Sequence, residues 1–348
     1  MILSRLRSML RVLVLTVRST LLLPVGLMSY WSSGRTPEYA HQALIWMFCV
    51  TRGRSSDFLS RLISRFRPRI AFDSSLGVLG DLRGEQLRKL VGRLRDDGFA
   101  VFERALPAEA CDRLMQYALT TPASSRLMDG ESRAAQPEAA VFDPARPKAV
   151  RYDYTASSLL DNPDVQALMA DPSILALAQE YLQCQPVADV LNMWWHTNYH
   201  KQPDSHAAQF FHFDMDRIKW LKIFVYLTDV LPENGPHSFV KGSHRSGGIP
   251  PRLLLRGYER LTDEEVRQCY SDEACLALTA PRGSIIVEDT RGLHKGANVR
   301  GAPRLVLQLQ LSNALFGAKY PRARITRVQD PSLKKMLSLA PAIYSQYF

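Results

Sequence analysis

Two hydrophobic periods divide the chain. Near its start, Ile2, Leu3, Leu6, Met9, Leu10, Leu13, Val14 and Val17 fall on one side of a helix turned at about 100° per residue. Arg7, Arg11 and Arg18 cluster opposite, and Arg5 lies at the boundary. Helical spacing returns over residues 85–97 and 107–120, with the strand-like run Gly98-Phe-Ala-Val-Phe102 between them. Residues 162–183 read as a helical stretch broken near Asp171-Pro172. Beyond residue 208 the period changes to two. Residues 208–214 alternate, residues 220–229 form a second strand-like run, and Pro232-Glu-Asn-Gly235 supplies a turn before residues 238–244. Residues 283–289 have a buried-strand pattern, and residues 304–312 (Arg-Leu-Val-Leu-Gln-Leu-Gln-Leu-Ser) give the cleanest alternation in the chain.

Two segments lie between these runs. Residues 245–281 hold the loop Ile249-Pro-Pro251 and a capped helix start at Leu261-Thr262, continuing to about Tyr270. Residues 121–154 are rich in Ala, Pro and Arg. Both are candidate lids over a site built on the strands.

Charge changes the picture at one end only. The chain of 348 residues has a formal net charge of +10. Residues 1–70 contain eleven Arg, no Lys and two acids (Glu38 and Asp57), so +9 of that charge belongs to an N-terminal arm. The remainder carries no basic face of the kind nucleic-acid binding requires. Ser19 to Gly34 is uncharged but contains Pro24 and Gly26, and it is short of the ~20 apolar residues of a spanning helix. The arm therefore reads as an interfacial helix, with peripheral membrane contact through residues 1–35. An organelle transit peptide, or packing on the barrel or a second subunit, remains an open alternative. A secretory signal fits poorly, because Arg18 breaks the apolar region. Five cysteines without metal or disulfide spacing suit a reducing, cytoplasmic setting.

The chemistry lies in Gln209-Phe-Phe-His212-Phe-Asp214 and in His294-Lys-Gly-Ala-Asn-Val-Arg-Gly-Ala-Pro-Arg304. On a strand, His212 and Asp214 share one face and Phe213 takes the other. With His294 they make two imidazoles and one carboxylate, the facial set that non-haem Fe(II) oxygenases use while keeping positions open. Arg304 adds a guanidinium able to bond both oxygens of a carboxylate. Asn192, ahead of Trp194 and Trp195, and Gln209 are expected as polar neighbours of the iron. Lys222, Phe224 and Tyr226 share one strand face, and Lys222 is expected in solvent on general burial preference. Histidines 196, 200, 206, 237 and 244 read as loop or structural residues. A helical zinc pair at His196 and His200 is disfavoured by the tryptophans beside them.

The run from His212 through Asn234-Gly235, Gly242-Ser-His244, Asp289, His294 and Arg304 resembles the phytanoyl-CoA dioxygenase family. The helix, Asp97-Gly-Phe-Ala-Val-Phe102 strand, helix order upstream is similar to that family's usual opening. The resemblance covers residues 80–347, with the specific motifs inside 209–312. It implies a mainly β domain with flanking helices, a double-stranded β-helix of the jelly-roll or cupin-like kind. It also implies Fe(II), 2-oxoglutarate and O2. His212, Asp214 and His294 are then the metal ligands, and Arg304 grips 2-oxoglutarate. Phe224 takes the place of an aromatic that many members carry, and Gly296 stands where some carry a Ser that helps to hold 2-oxoglutarate. The implied activity is hydroxylation of a small organic or lipid-like molecule, with release of succinate and CO2. A cupin-like binding or sensor protein, or a metal-dependent hydrolase on the same triad, are the alternatives. The substrate and the oligomeric state are not legible.

Overall fold

The Arg304–Ser312 strand lies at the heart of the molecule, and its alternation explains why. Leu305, Leu307, Leu309 and Leu311 point to an outer layer and join a core with Leu191, Met193, Ile223 and Val225. Arg304, Val306, Gln308 and Gln310 take the opposite, inner face. The strand is hydrogen-bonded on both sides and buried over its whole length.

In the computed structural model, residues 2–72, 74–126, 139–205 and 207–348 are described, with side chains from Met9 onward. His206 and residues 127–138 of the first candidate lid lie outside that description. An eight-stranded sheet runs in the order Phe99–Phe102, Ile285–Glu288, Trp220–Tyr226, Arg304–Ser312, Val187–His196, Arg151–Tyr154, Ala123–Arg126, Ala139–Ala140. A three-stranded sheet pairs Cys275–Leu278, His237–Val240 and His294–Gly296. Every pairing is antiparallel. Trp194, Phe224, Tyr226, Phe239, Ile286 and Val306 form a core that joins the inner face of the large sheet to the small one. The fold is mixed, a large antiparallel sheet with flanking helices, and the described strands do not close into a barrel.

Helices cover the outer face. Gly84–Asp97 and Ala108–Thr120 flank the Phe99–Phe102 strand. The break at Asp171-Pro172 separates Pro163–Met169 from Pro172–Leu182, and the side chains of Asn162 and Asp171 cap the two N-termini. Thr262 and Glu265 form the capping box of the short helix Asp263–Arg267. The segment 121–154 contributes the strands Ala123–Arg126 and Arg151–Tyr154 to the large sheet.

The N-terminal arm differs from the sequence expectation. Helix α1, Ile2–Ser33, continues through Pro24. Its Met9–Ser33 portion is long and apolar enough to cross a membrane by length and composition. Helices α2, Glu38–Thr51, and α3, Arg54–Phe66, follow. Gly26 allows α1 to approach α2, since a Cβ there would lie 2.1 Å from Ala40 Cβ. In turn α2 packs on the metal-bearing segment. Phe48 stacks on Phe213 at 5.5 Å, and His41 Nε2 lies 2.9 Å from the Met215 carbonyl. From α3, Asp57 reaches Arg291 at 3.0 Å.

Candidate metal centre

His212 and His294 face each other across a two-bond antiparallel bridge. The His212 N–H donates to the His294 carbonyl at 2.9 Å, and the His294 N–H returns the bond at 2.8 Å. Residues 208–214 make bridges at Phe211 and His212 rather than a full strand. Asp214 is fixed separately, by its N–H on the Thr290 carbonyl at 2.8 Å. Phe213 turns away toward Phe48 and Tyr258, as alternation requires.

The three side chains are buried and each offers one ligand atom, all within 4.8 Å of one another. His294 Nε2 is 3.3 Å from Asp214 Oδ2, and His212 Nε2 is 3.7 Å from Oδ1. The tautomers are set by the backbone. His212 Nδ1 lies 2.9 Å from the Phe210 carbonyl and His294 Nδ1 lies 3.0 Å from the Gly292 carbonyl. Each Nδ1 must then carry the proton, which leaves the Nε2 lone pairs for a metal. Burial, helped by the neighbouring His294, keeps His212 neutral. Burial also opposes charge on His294, but the Asp214 carboxylate outweighs it and the pKa rises. Two converging Nε2 atoms and a carboxylate fit Fe(II), with a face left open.

Lys222 is where the sequence expectation fails. It is buried, with Nζ 2.6 Å from Asp214 Oδ2 and 3.0 Å from Asp216 Oδ2. Burial would discharge it, but the two carboxylates hold it charged and raise its pKa. Because Lys222 occupies Oδ2, Oδ1 is the freer oxygen of Asp214.

Arg304 lies at the end of its strand, buried at 2 % exposure. Its Nη1 donates to the Gly235 carbonyl, its Nη2 lies 2.9 Å from His196 Nδ1, and Nε has no partner among the described residues. Burial, together with the Arg151 and Arg304 charges, holds His196 well below the usual histidine range, so its ring accepts from Arg304. Gly296 leaves the guanidinium its space, since a Cβ there would be 3.1 Å from Nη2. The remaining charge of Arg304 suits a carboxylate.

The other expected residues fall at different distances from this centre. Phe224 is buried on the inner face, its ring centroid 4.7 Å from that of His237 with the two planes tilted by 34°. Asn192 faces the same interior, in register with Gln308, and lines a cavity of about 480 Å3. Gln209 Oε1 accepts from the Asp204 N–H at 2.7 Å and closes a loop, while Nε2 has no partner among the described residues. His200 stays in its loop, with Nδ1 accepting from the Gln202 N–H at 3.1 Å. His244 is buried, with Nε2 3.1 Å from the Arg95 carbonyl.

Two residues read as ordinary in the sequence join the site. His237 stacks on His294 at 5.5 Å, and its Nε2 lies 2.8 Å from Glu288 Oε2. Burial pushes Glu288 up to about 8, opposed by His294. The signal for Glu288 was its position inside an apolar run, where an acid has no cheap place to ionise.

The phytanoyl-CoA dioxygenase family model matches residues 94–304. Among solved structures, the non-heme alpha ketoglutarate dependent epimerase SnoN from nogalamycin biosynthesis is 23 % identical, covering 65 % of this chain and 82 % of its own, with a TM-score of 0.46. HygX from Streptomyces hygroscopicus, with nickel and 2-oxoglutarate bound, is 14 % identical over 71 % of this chain and 95 % of its own, with a TM-score of 0.47. EctD from S. alaskensis, with bound Fe, is 19 % identical over 77 % and 95 % of the respective chains, with a TM-score of 0.45. No curated protein matches the chain. The family match takes in more than half of the sequence and spans all three triad residues, so the chain belongs to the phytanoyl-CoA dioxygenase family and carries Fe(II)- and 2-oxoglutarate-dependent oxygenase chemistry.

Proposed function

We propose that this chain is a hydroxylase acting on an unactivated C–H bond of a small organic or lipid-like molecule. The observation that carries the reading is the convergence of His212, Asp214 and His294 within 4.8 Å. On this reading residues 80–347 form the oxygenase domain, a double-stranded β-helix, with the arm of residues 1–70 seated on it and segments 121–154 and 245–281 as lids. His212, Asp214 and His294 hold the metal, and Arg304 binds the distal carboxylate of 2-oxoglutarate. Asn192, Gln209 and Phe224 complete the surroundings of the co-substrate.

Bound Fe(II) supplies O2-dependent oxidation coupled to conversion of 2-oxoglutarate to succinate and CO2. The chain's own residues orient and exclude. Gly292 and Phe210 carbonyls hold the imidazole tautomers. Lys222 restrains one oxygen of Asp214. The aromatic wall of Phe224 and Tyr226 keeps water from the interior. Asp214 itself favours hydroxylation over halogenation, because a carboxylate occupies the position a halide would need.

The test is an anaerobic titration of the Fe(II)-loaded protein with 2-oxoglutarate, following the weak visible band of the chelate. The wild type is expected to develop the band, and Arg304→Ala to need at least about tenfold more 2-oxoglutarate. No band with iron demonstrably bound would sink the reading and favour a binding protein or a hydrolase.

We also infer that the arm holds a cytoplasmic enzyme on an anionic membrane. The Met9–Ser33 portion of α1 is only 17 % buried in its most apolar window, and Leu10, Leu13, Val17, Leu21, Met28 and Trp31 are exposed along it. On α3, Phe58, Leu62 and Phe66 are exposed at helical spacing, with the exposed Arg61 and Arg65 alongside. Because α1 is packed along α2, it favours lying on a bilayer over crossing it.

A further inference from the structure

The inner face of the large sheet carries cations well beyond Arg304. Register sets Arg304 opposite His196, His196 opposite Arg151, and Arg151 opposite Arg126, across four neighbouring strands. Directly paired residues project to the same face about 5 Å apart, so these side chains form one row. Asp153 serves both of the outer members, at 2.7 Å from Arg151 and 3.4 Å from Arg126.

Arg126, Arg151 and Asp153 line the cavity of about 480 Å3 that Asn192 also lines. Its facing wall comes from the segment that follows the sheet, with Tyr320 and Arg322. Asp189 also borders it; Arg217 at 2.5 Å and Ser312 at 3.0 Å both hold its Oδ2, while Oδ1 has no partner among the described residues. The volume lies within the range of small-molecule pockets, about 300–1,000 Å3. The triad does not itself line the cavity, but a chain of polar contacts links the cavity wall to it. Tyr320 is hydrogen-bonded to Asp216, Asp216 pairs with Lys222 at 3.0 Å, and Lys222 pairs with Asp214 at 2.6 Å.

A second observation points to an acceptor-rich occupant. The Arg151 guanidinium lies 4.4 Å over the Trp194 ring. Trp194 is 7 % exposed, and its Nε1–H has no partner among the described residues. A buried donor left unpaired is costly, and an acceptor oxygen within reach relieves it. Burial pulls the Arg151 pKa down, a strain that an anion alongside removes.

We infer that this cavity is the substrate site and that it takes an anionic substrate, which places a carboxylate or phosphate between Arg151 and Arg322. The inference rests on the oxygenase reading above and names the substrate class for the same site. The 2-oxoglutarate carboxylate stays at Arg304, at the other end of the row, so the enzyme holds two anions on one sheet face. The C–H to be oxidised is then set by the length of substrate between the Arg151 end and the triad.

The full-length chain, loaded with Fe(II) and saturated with 2-oxoglutarate under nitrogen, is titrated calorimetrically with acetate, methyl phosphate and acetamide. The visible band is recorded in the same samples. One or both anions are expected to bind without loss of the band, and neutral acetamide is not. The tighter anion identifies carboxylate or phosphate as the natural group. Affinity is expected to fall about tenfold in Arg151→Gln, the size of one charge-assisted hydrogen bond. Arg322→Gln, at an exposed position that leaves folding intact, is expected to weaken the same binding with 2-oxoglutarate affinity unchanged. Absence of anion binding, undiminished binding in both variants, or loss of the band as the anion binds would each overturn the inference. If the wild type shows no band at all, the oxygenase reading fails, and the same titrations without 2-oxoglutarate still decide whether the arginines bind an anion.

Discussion

Each histidine of the triad spends its Nδ1 proton on the carbonyl two residues before it, Phe210 for His212 and Gly292 for His294. A local loop conformation therefore sets both tautomers, and the metal need not select them. Lys222 plays a comparable part for the carboxylate. Lys222→Met is expected to weaken Fe(II) binding about tenfold or more, read by competition with a chelator, because loss of an outer partner commonly costs that much. Lys219 tells the opposite story. Its amine lies 4.5 Å over the Tyr181 ring, and burial, with the Arg291 charge, lowers its pKa to about 8. The unfolded chain holds that proton up to about pH 10.4, so stability rises with pH between these values. Below pH 8 the charged amine costs the folded state at most about 3 kcal/mol. Lys219→Met is thus expected to raise stability at pH 7, with the gain fading to nothing as pH rises from 8 to 10.4. Denaturant midpoints of both proteins across that range check it, and a constant difference would refute it. The convergence of His212, Asp214 and His294 was legible because their residue types and order along the chain are restrictive. Lys222, His196 and His237 were not, since strand parity tells which residues share a face but not which face is inside.

Among the elements, the strand of residues 304–312 followed the sequence and the arm did not. Residues 304–312 alternate so regularly that leucines alone specify the outer layer. Pro24 lies inside the first helix, where a proline costs roughly 3 kcal/mol. Contact with α2 through Leu23 and Gly26, both buried, offsets that cost. The close approach at Gly26 supplies a test. Gly26→Val inserts side-chain carbon where Ala40 already lies, and overpacking of this kind costs about 1–3 kcal/mol. The variant is expected to lift α1 from α2 and make residues 1–35 the first site of limited proteolysis. Unchanged cleavage would mean that the two helices are not held by this contact.

For the molecule as a whole, charge and apolar surface coincide. The arm concentrates +9 of the +10 net charge and also presents the exposed rows of α1 and α3. The uneven charge was legible from composition; the second exposed row, on α3, needed the fold to show which face was covered. Replacing Leu13, Val17 and Leu21 by Glu is expected to release the protein from anionic vesicles, measured by sedimentation, with 2-oxoglutarate binding retained. Partitioning equal to wild type would exclude the membrane role.

The stacking of Phe48 on Phe213 has a further meaning for how this enzyme is divided. Phe213 is the residue between two members of the triad, and Arg291, three residues before the third, is tied to Asp57. A fragment cut to the family boundaries, residues 94–304, would strip the cover from both places. The catalytic unit of this chain is consequently larger than the family domain it contains. Grafted without its arm onto another anchor, it is expected to lose its iron before it loses its fold.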